Sequence, residues 1–248
     1  MKRIMCVVSY DGTNYAGYQI QTNGIAIQAK IQVALKLMHK GTAVQITSSG
    51  RTDAGVHAVG QVFHFDTFLS IPSDNWKRAL NTLLPDDIHI NSVKEVDNNF
   101  HARYDSVSKE YRYLVLNSPE PDLFKRNHIL HVKDKLDVRA MQEACQWIEG
   151  EHDFSAFCSA KTDLKGSKIR TVYQVTCEQQ GDQITFIFRG SGFLYNMVRI
   201  LVGTLIGIGK GVHRPEEMKE MIESKSREKA GITAPPNGLY LWRVRYLE

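Results

Sequence analysis

From residue 3 to residue 9 the chain is almost continuously apolar (RIMCVVS), the pattern of a strand buried on both faces. Between 25 and 38 the apolar positions recur at helical spacing instead: Ile27, Ile31, Ala34, Leu35 and Met38. A short strand is predicted at 44–47, followed by a glycine-flanked loop and a second strand at 59–66. Pro72 opens a helix that runs to about residue 84, and 88–96 returns as strand. The order is strand, helix, strand, strand, helix, strand.

The second half follows a related order. Residues 109–116 alternate, with Tyr111, Tyr113 and Val115 on one face and Arg112, Leu114 and Leu116 on the other. A loop at 117–128 carries Pro119 and Pro121, and a helix is predicted at 138–148. Strands at 170–177 and 183–189 form a hairpin turning near Gly181-Asp182. Helices at 194–208 and 215–224 precede a closing strand at 239–246. The expectation is an α+β protein of two tandem ferredoxin-like (βαββαβ) halves, 1–98 and 99–248, with a boundary at 98–108. Abutting antiparallel sheets would leave a central cleft lined by loops of both halves.

Composition narrows the class. With 248 residues, 42 % of them apolar and 23 % charged, the chain belongs with globular proteins. The N-terminus has only five consecutive apolar residues (4–8), and the apolar stretch 193–208 is interrupted by Arg199, Gly203 and Gly207. Neither suits a leader or a membrane span, so a cytoplasmic location without membrane contact is expected. Cys6, Cys145, Cys158 and Cys177 show no zinc-ligand spacing, which predicts reduced, buried thiols and no metal. The net charge of +4 is modest, but basic residues cluster. Lys161, Lys165, Lys168 and Arg170 face one acid, Asp163; Arg103, Lys109 and Arg112 form a second group, Arg243 and Arg245 a third. Any one group suits a solvated face, whereas several together point toward an anionic partner such as RNA.

Three places carry candidate chemistry. In SSGRTDAGVHAVGQVFHF (48–65), Arg51 and Asp53 stand between Gly50 and Gly55, directly before a strand. The residues fit a simple turn or an active-site carboxylate held by its neighbours, and composition leaves both open. On the helix at 194–208, Arg199 shares a side with Asn196 and Gly203, a polar and small face that gives a guanidinium room for an anion, Asp53 among the possible mates. Tyr111 fits a core aromatic, or a ring at a cleft mouth that stacks on a base.

Six motifs carry a resemblance that covers essentially the whole chain. YDGTNYAGYQ (10–19), SGRTDAGVHA (49–58), FHARYDSVSKEYRY (100–113), DFSAFC (153–158), GFLYNMVRILVGTL (192–205) and TAPPNGLYL (233–241) resemble, in order, those of the tRNA pseudouridine synthase A family. Tyr15 and Tyr18 stand where the family often has Phe and Trp, and both swaps keep an aromatic. The resemblance implies an isomerase that flips uridine out of the anticodon arm of tRNA, at positions 38, 39 and 40, and converts it to pseudouridine. It implies Asp53 as nucleophile, Tyr111 stacked on the target uracil, Arg199 paired with the carboxylate and Arg51 helping to displace the base. It further implies no cofactor and a homodimer. Two other readings are weaker. A non-catalytic RNA-binding protein would carry the glycine-containing signature of that class, which KEYRYLVL lacks. A carboxylate hydrolase would carry paired acids, and the GRTDAGVHA loop offers one.

Overall fold

A computed structural model describes residues 1–22, 24–159 and 166–247. Lys161 and Lys165 of the first basic cluster lie outside the described residues. The chain divides into two compact units, residues 1–107 with 240–248, and residues 108–239. Each is a mixed α/β unit.

The first unit opens with β1 (Lys2–Tyr10), whose alternate residues Ile4, Cys6, Val8 and Tyr10 are buried. Helix α1 (Ile27–Met38) buries Ile27, Ile31, Ala34 and Leu35, the stripe expected from its spacing. Strand β2 (Thr47–Ser48) is only two residues long, and β3 (His57–Thr67) is buried along nearly its whole length. Helix α2 (Ser73–Leu83) seats Trp76 and Leu80 on the sheet, the Trp76 ring meeting Phe65 edge-on at 5.3 Å. β4 (Ile88–Val96) completes the run, with the bounds expected from its pattern.

The second unit begins near the start of β5 (Ser106–Asn117) and adds β6 (Leu130–Val132), α3 (Val138–Cys145) and β7 (Gly150–Asp153). The hairpin β8 (Ile169–Gln180) and β9 (Gln183–Gly190) turns at Gly181-Asp182 as expected. Helices α4 (Met197–Gly209) and α5 (Glu217–Ser224) follow, and the final strand is β10 (Leu239–Tyr246). Its sheet runs β5-β9-β8-β7, with β6 parallel to β5. Helix α4 is the core of this unit, buried from Met197 to Gly209 except near Arg199 and Gly207. Asp137 N–H donates to the Gly209 carbonyl at 2.8 Å, which docks the start of α3 on the end of α4.

In the first unit the sheet order is β4-β1-β3-β10, with β2 also on β3. β10 pairs parallel to β3 through Tyr240↔His57 and Leu241↔Ala58. A Cβ on Gly60 would lie 2.6 Å from the Trp242 carbonyl oxygen, so glycine is what lets the two strands close up there. This strand therefore belongs with the first unit and not with the 99–248 half in which the sequence order placed it. Three local differences also have physical causes. Residues 44–46 diverge from β3, so the strand expected at 44–47 survives only as Thr47–Ser48. β6 and β7, of three and four residues, are too short to carry a period. The helix expected from 194 starts at Met197, because Asn196 takes a left-handed conformation (φ 58°). Among the described residues, no helix is long and apolar enough to cross a membrane.

Candidate active site

Two of the sequence motifs fold into one construction. Residues 51–53 hang between the end of β2 and the start of β3, and the residue between the two charges is the anchor. Thr52 is buried, its Oγ1 2.8 Å from the Tyr10 hydroxyl at the end of β1. Arg51 is exposed and Asp53 half-buried, on either side of that inward-facing threonine. The Tyr10 hydroxyl is pushed far above its ordinary range by burial, so it is a neutral hydrogen-bonding group at any working pH.

Beneath this loop lies the chain of 10–19. Tyr18 N–H donates to the Thr52 carbonyl at 3.1 Å, and Gly55 N–H to the Tyr15 carbonyl at 3.3 Å. Gly17 sits at φ 107°, and a Cβ there would stand 2.8 Å from the Thr52 carbonyl oxygen. Gly12 is pressed closer still to the Val56 carbonyl. No other residue type fits either place without moving the loop. Asp53 itself opens a turn: Val56 N–H donates to its carbonyl at 3.1 Å, and Gly55 takes φ 75°. On the other flank Gln61 is fully buried, accepting from Ser49 Oγ at 2.6 Å and donating to the Gly50 carbonyl at 2.9 Å. The carboxylate is thus carried on a backbone tied at both ends.

His57, four residues on, was not singled out by the sequence. It is 1 % exposed, stacked on Tyr240 at 4.8 Å, with Nδ1 3.1 Å from both Gly12 N and Asp11 Oδ1. One nitrogen serves one of these at a time: unprotonated it accepts from Gly12, protonated it donates to Asp11. Either state ties the GVHA strand to the DG turn beneath the Asp53 loop. Only the glycines of YDGTNYAGYQ signalled this contact, and only through the close approach they permit.

In the second unit, Tyr111 lies half-buried on β5, opposite Phe188 in register and edge-on to Phe193 at 5.2 Å. Tyr113 and Val115, on the same face, are fully buried. Arg199 donates from Nε to the Ala234 carbonyl at 2.7 Å and from Nη1 to Asn196 Oδ1 at 2.9 Å. Ala234 N–H in turn donates to the Arg199 carbonyl at 3.0 Å. The small face of α4 is filled by chain 231–234, with Gly203 packed on the Ile232 carbonyl and Gly231 bonded to Thr204 Oγ1. Two neutral oxygens therefore fix where the guanidinium points. Of the basic clusters, Arg112 is paired with Glu110 at 2.8 Å, whereas Arg243 and Arg245 are exposed on β10.

The sequence pattern of the tRNA pseudouridine synthase family matches residues 6–105 and 144–247. The chain belongs to this family. Asp53, Arg51 and Arg199 fall inside the matched residues, and Tyr111 between them. The chain is similar over its full length to tRNA pseudouridine synthase A of Oceanobacillus iheyensis, at 55 % identity and 98 % of that protein's length. The corresponding protein of Geobacillus sp. (strain WCH70) is 52 % identical over 99 % of this chain and 98 % of its own. That of Bacillus subtilis (strain 168) is 49 % identical over 98 % and 99 %. A crystal structure of a Cbf5–Nop10–Gar1 complex aligns with 82 % of this chain and 54 % of its own at 14 % identity, with a TM-score of 0.34 that supports no structural argument.

Proposed function

We propose that the chain converts uridine to pseudouridine at positions 38, 39 and 40 of the anticodon arm of tRNA, with Asp53 as the nucleophile. The observation that carries this reading is the Asp53 loop. A half-buried Asp53 follows a buried, hydrogen-bonded threonine, on a backbone that packs against two glycines. Its supporting residues, Gln61 apart, come from the motifs that carry the family resemblance.

The chemistry asks for such a group. The C1′–N1 bond must break, the ring must turn, and C1′ must bond to C5, whose hydrogen leaves as a proton while N1 gains one. Reactant and product are isomers, so no oxidant, reductant or group donor is needed, which fits the absence of a cofactor in the proposal. A fixed carboxylate can attack as a covalent nucleophile or stabilise positive charge developing at C1′. A uridine paired in a stem is out of reach, so it must be flipped, at a cost of a few kcal/mol. In this reading Arg51 helps to displace the base and Tyr111 stacks on the flipped uracil. Arg199 pairs with Asp53 and favours its ionised form. We further take the fold as tandem ferredoxin-like, the substrate as the anticodon arm, and the protein as a cytoplasmic homodimer.

Mapping the modified positions tests the reading. Unmodified tRNA transcripts carrying uridine at 38, 39 and 40 would be incubated with the protein, and pseudouridine located by base-specific chemical adducts and primer extension. Stops confined to those positions are expected. Modification elsewhere in the transcript would refute the assigned substrate position.

A further inference from the structure

Successive side chains of a strand point to opposite faces of its sheet, so Phe65 and Thr67 face one way from β3, and His64 and Asp66 the other. All four nevertheless line one cavity of about 770 Å³ in the first unit. Only an opening at the strand's edge meets both faces. β2 pairs with β3 at Thr47↔His64 and Ser48↔Phe63. It then stops, while β3 continues to Thr67 and residues 42–45 swing out to form the far wall.

The backbone direction at this edge follows from one bond. Ser49 N–H donates to the Val62 carbonyl at 2.8 Å. The N–H and C=O of a strand residue share a side, and that side alternates along the chain. Val62, His64 and Asp66 therefore all turn their backbone groups toward the β2 side. At Asp66 β2 has already departed, so a donor and an acceptor lie side by side in the cavity. That pairing suits the donor–acceptor edge of an unstacked nucleobase. His64 adds a donor: its Nδ1 accepts from Ala102 N–H at 3.2 Å, which leaves the proton on Nε2.

The walls suit the rest of a nucleotide. Met38, Phe68 and Leu69 supply apolar surface, with Phe68 85 % exposed. The Asp66 carboxylate is committed to Arg3 through two bonds of 2.7 and 2.8 Å, and Lys40 adds a further positive charge to the lining. Beside the opening, Tyr104 stacks on His101 at 4.3 Å with 76 % of its surface exposed, and the Arg103 guanidinium lies 5.9 Å from its ring. His101 Nδ1 accepts from both the Arg103 and Tyr104 N–H groups, so this aromatic and cation pair is held in place.

We propose that this cavity is a second nucleotide-binding site, which takes one unpaired nucleotide with its base against the Asp66 backbone edge and its phosphate at Lys40. Asp66 is nine residues along β3 from His57, about 30 Å of extended chain, which separates this site from Asp53. The proposal rests on the RNA-modifying reading only for the source of the nucleotide.

Photocrosslinking separates the sources. A tRNA transcript containing 4-thiouridine and free 4-thiouridine 5′-monophosphate would each be irradiated with the full chain, and labelled residues mapped by mass spectrometry. Lys40→Gly serves as the variant, because Lys40 sits at φ 53°, which glycine adopts without strain, so the fold is not at risk. Transcript labels at 66–69 or 101–104 that weaken in Lys40→Gly support the site with RNA as its ligand. The same variant should lower the salt slope of transcript binding by about 1. Labels there from the free nucleotide alone support the site with a small-molecule ligand. If neither probe labels these residues while the transcript still labels 50–56, the proposal is overturned and the synthase reading stands. Perturbation of the 65–67 amides by a neutral extended hexapeptide, with no label from either probe, also overturns it in favour of strand addition.

Discussion

Thr52 has no part in the proposed chemistry, yet it anchors the backbone that carries Asp53. Thr52→Val keeps the shape and removes the hydroxyl facing Tyr10. Gln61 remains within reach of the Tyr10 hydroxyl, so the stability cost should stay near 1 kcal/mol. A lower kcat at nearly unchanged KM is expected, and an unchanged kcat would mean the anchor does not position Asp53. Gly17→Ala is harsher, since a methyl at φ 107° meets the Thr52 carbonyl. It should cost at least about 2 kcal/mol, read as a lowered Tm, and should impair catalysis beyond that loss. His64 gives a pH signature. Burial, with the Arg3 guanidinium next, pulls it from 6.5 to about 4. A folded value below the unfolded one means stability is fully present above about pH 6.5 and is lost as pH falls toward 4. The limiting loss is about 3 kcal/mol, and His64→Asn should flatten Tm over that window. At this scale the sequence disclosed the charged pair and its glycines, because those residue types are unusual together. His57, Tyr10 and Gln61 stayed hidden, since a buried polar residue is recognisable only once its partners, 11 to 45 residues away, are in place.

Elements were legible where their period was long enough to be unambiguous. The strands at 88–96 and 239–246 and the hairpin at Gly181 follow from alternation and turn residues alone. The segments that differ are governed by partners. Residues 44–46 have strand composition but run past the edge of β3 without pairing, and the start of α4 is displaced by a left-handed Asn196. β10 is the clearest case: its pattern revealed a strand, but nothing local says that it joins β3, some 180 residues earlier (240 against 57). Its membership has a consequence. A fragment of residues 1–107 lacks the strand that covers His57 and Ala58, so it should show no cooperative thermal transition by circular dichroism. The same fragment with 239–247 joined through a flexible linker should regain one. A cooperative transition in the short fragment would show that β10 is dispensable to the first unit. Gly60→Val tests the contact in the intact chain, where the added bulk opposes the Trp242 carbonyl and should cost upward of about 2 kcal/mol.

At the scale of the whole molecule, a net charge of +4 is too small to identify a partner, and family membership does that work. What the structure adds is economy. Two motifs some 40 residues apart in the chain, 10–19 and 49–58, pack together around the loop that carries Asp53, and Arg199 of 192–205 bonds to Ala234 of 233–241. Exposed arginines 243 and 245 on β10 are suited to phosphate contact, so the affinity for tRNA should fall steeply with added salt, by a slope of about −0.9 for each phosphate neutralised. The central claim is narrower than binding: Asp53 performs the isomerisation. The most direct test uses tRNA tritiated at C5 of its uridines, with no metal or cofactor added, and compares the wild-type protein with Asp53→Asn. Tritium released to water by the wild type, with none released by a variant that keeps its fold and its tRNA affinity, is the result the account predicts. Release by Asp53→Asn at the wild-type rate would contradict it.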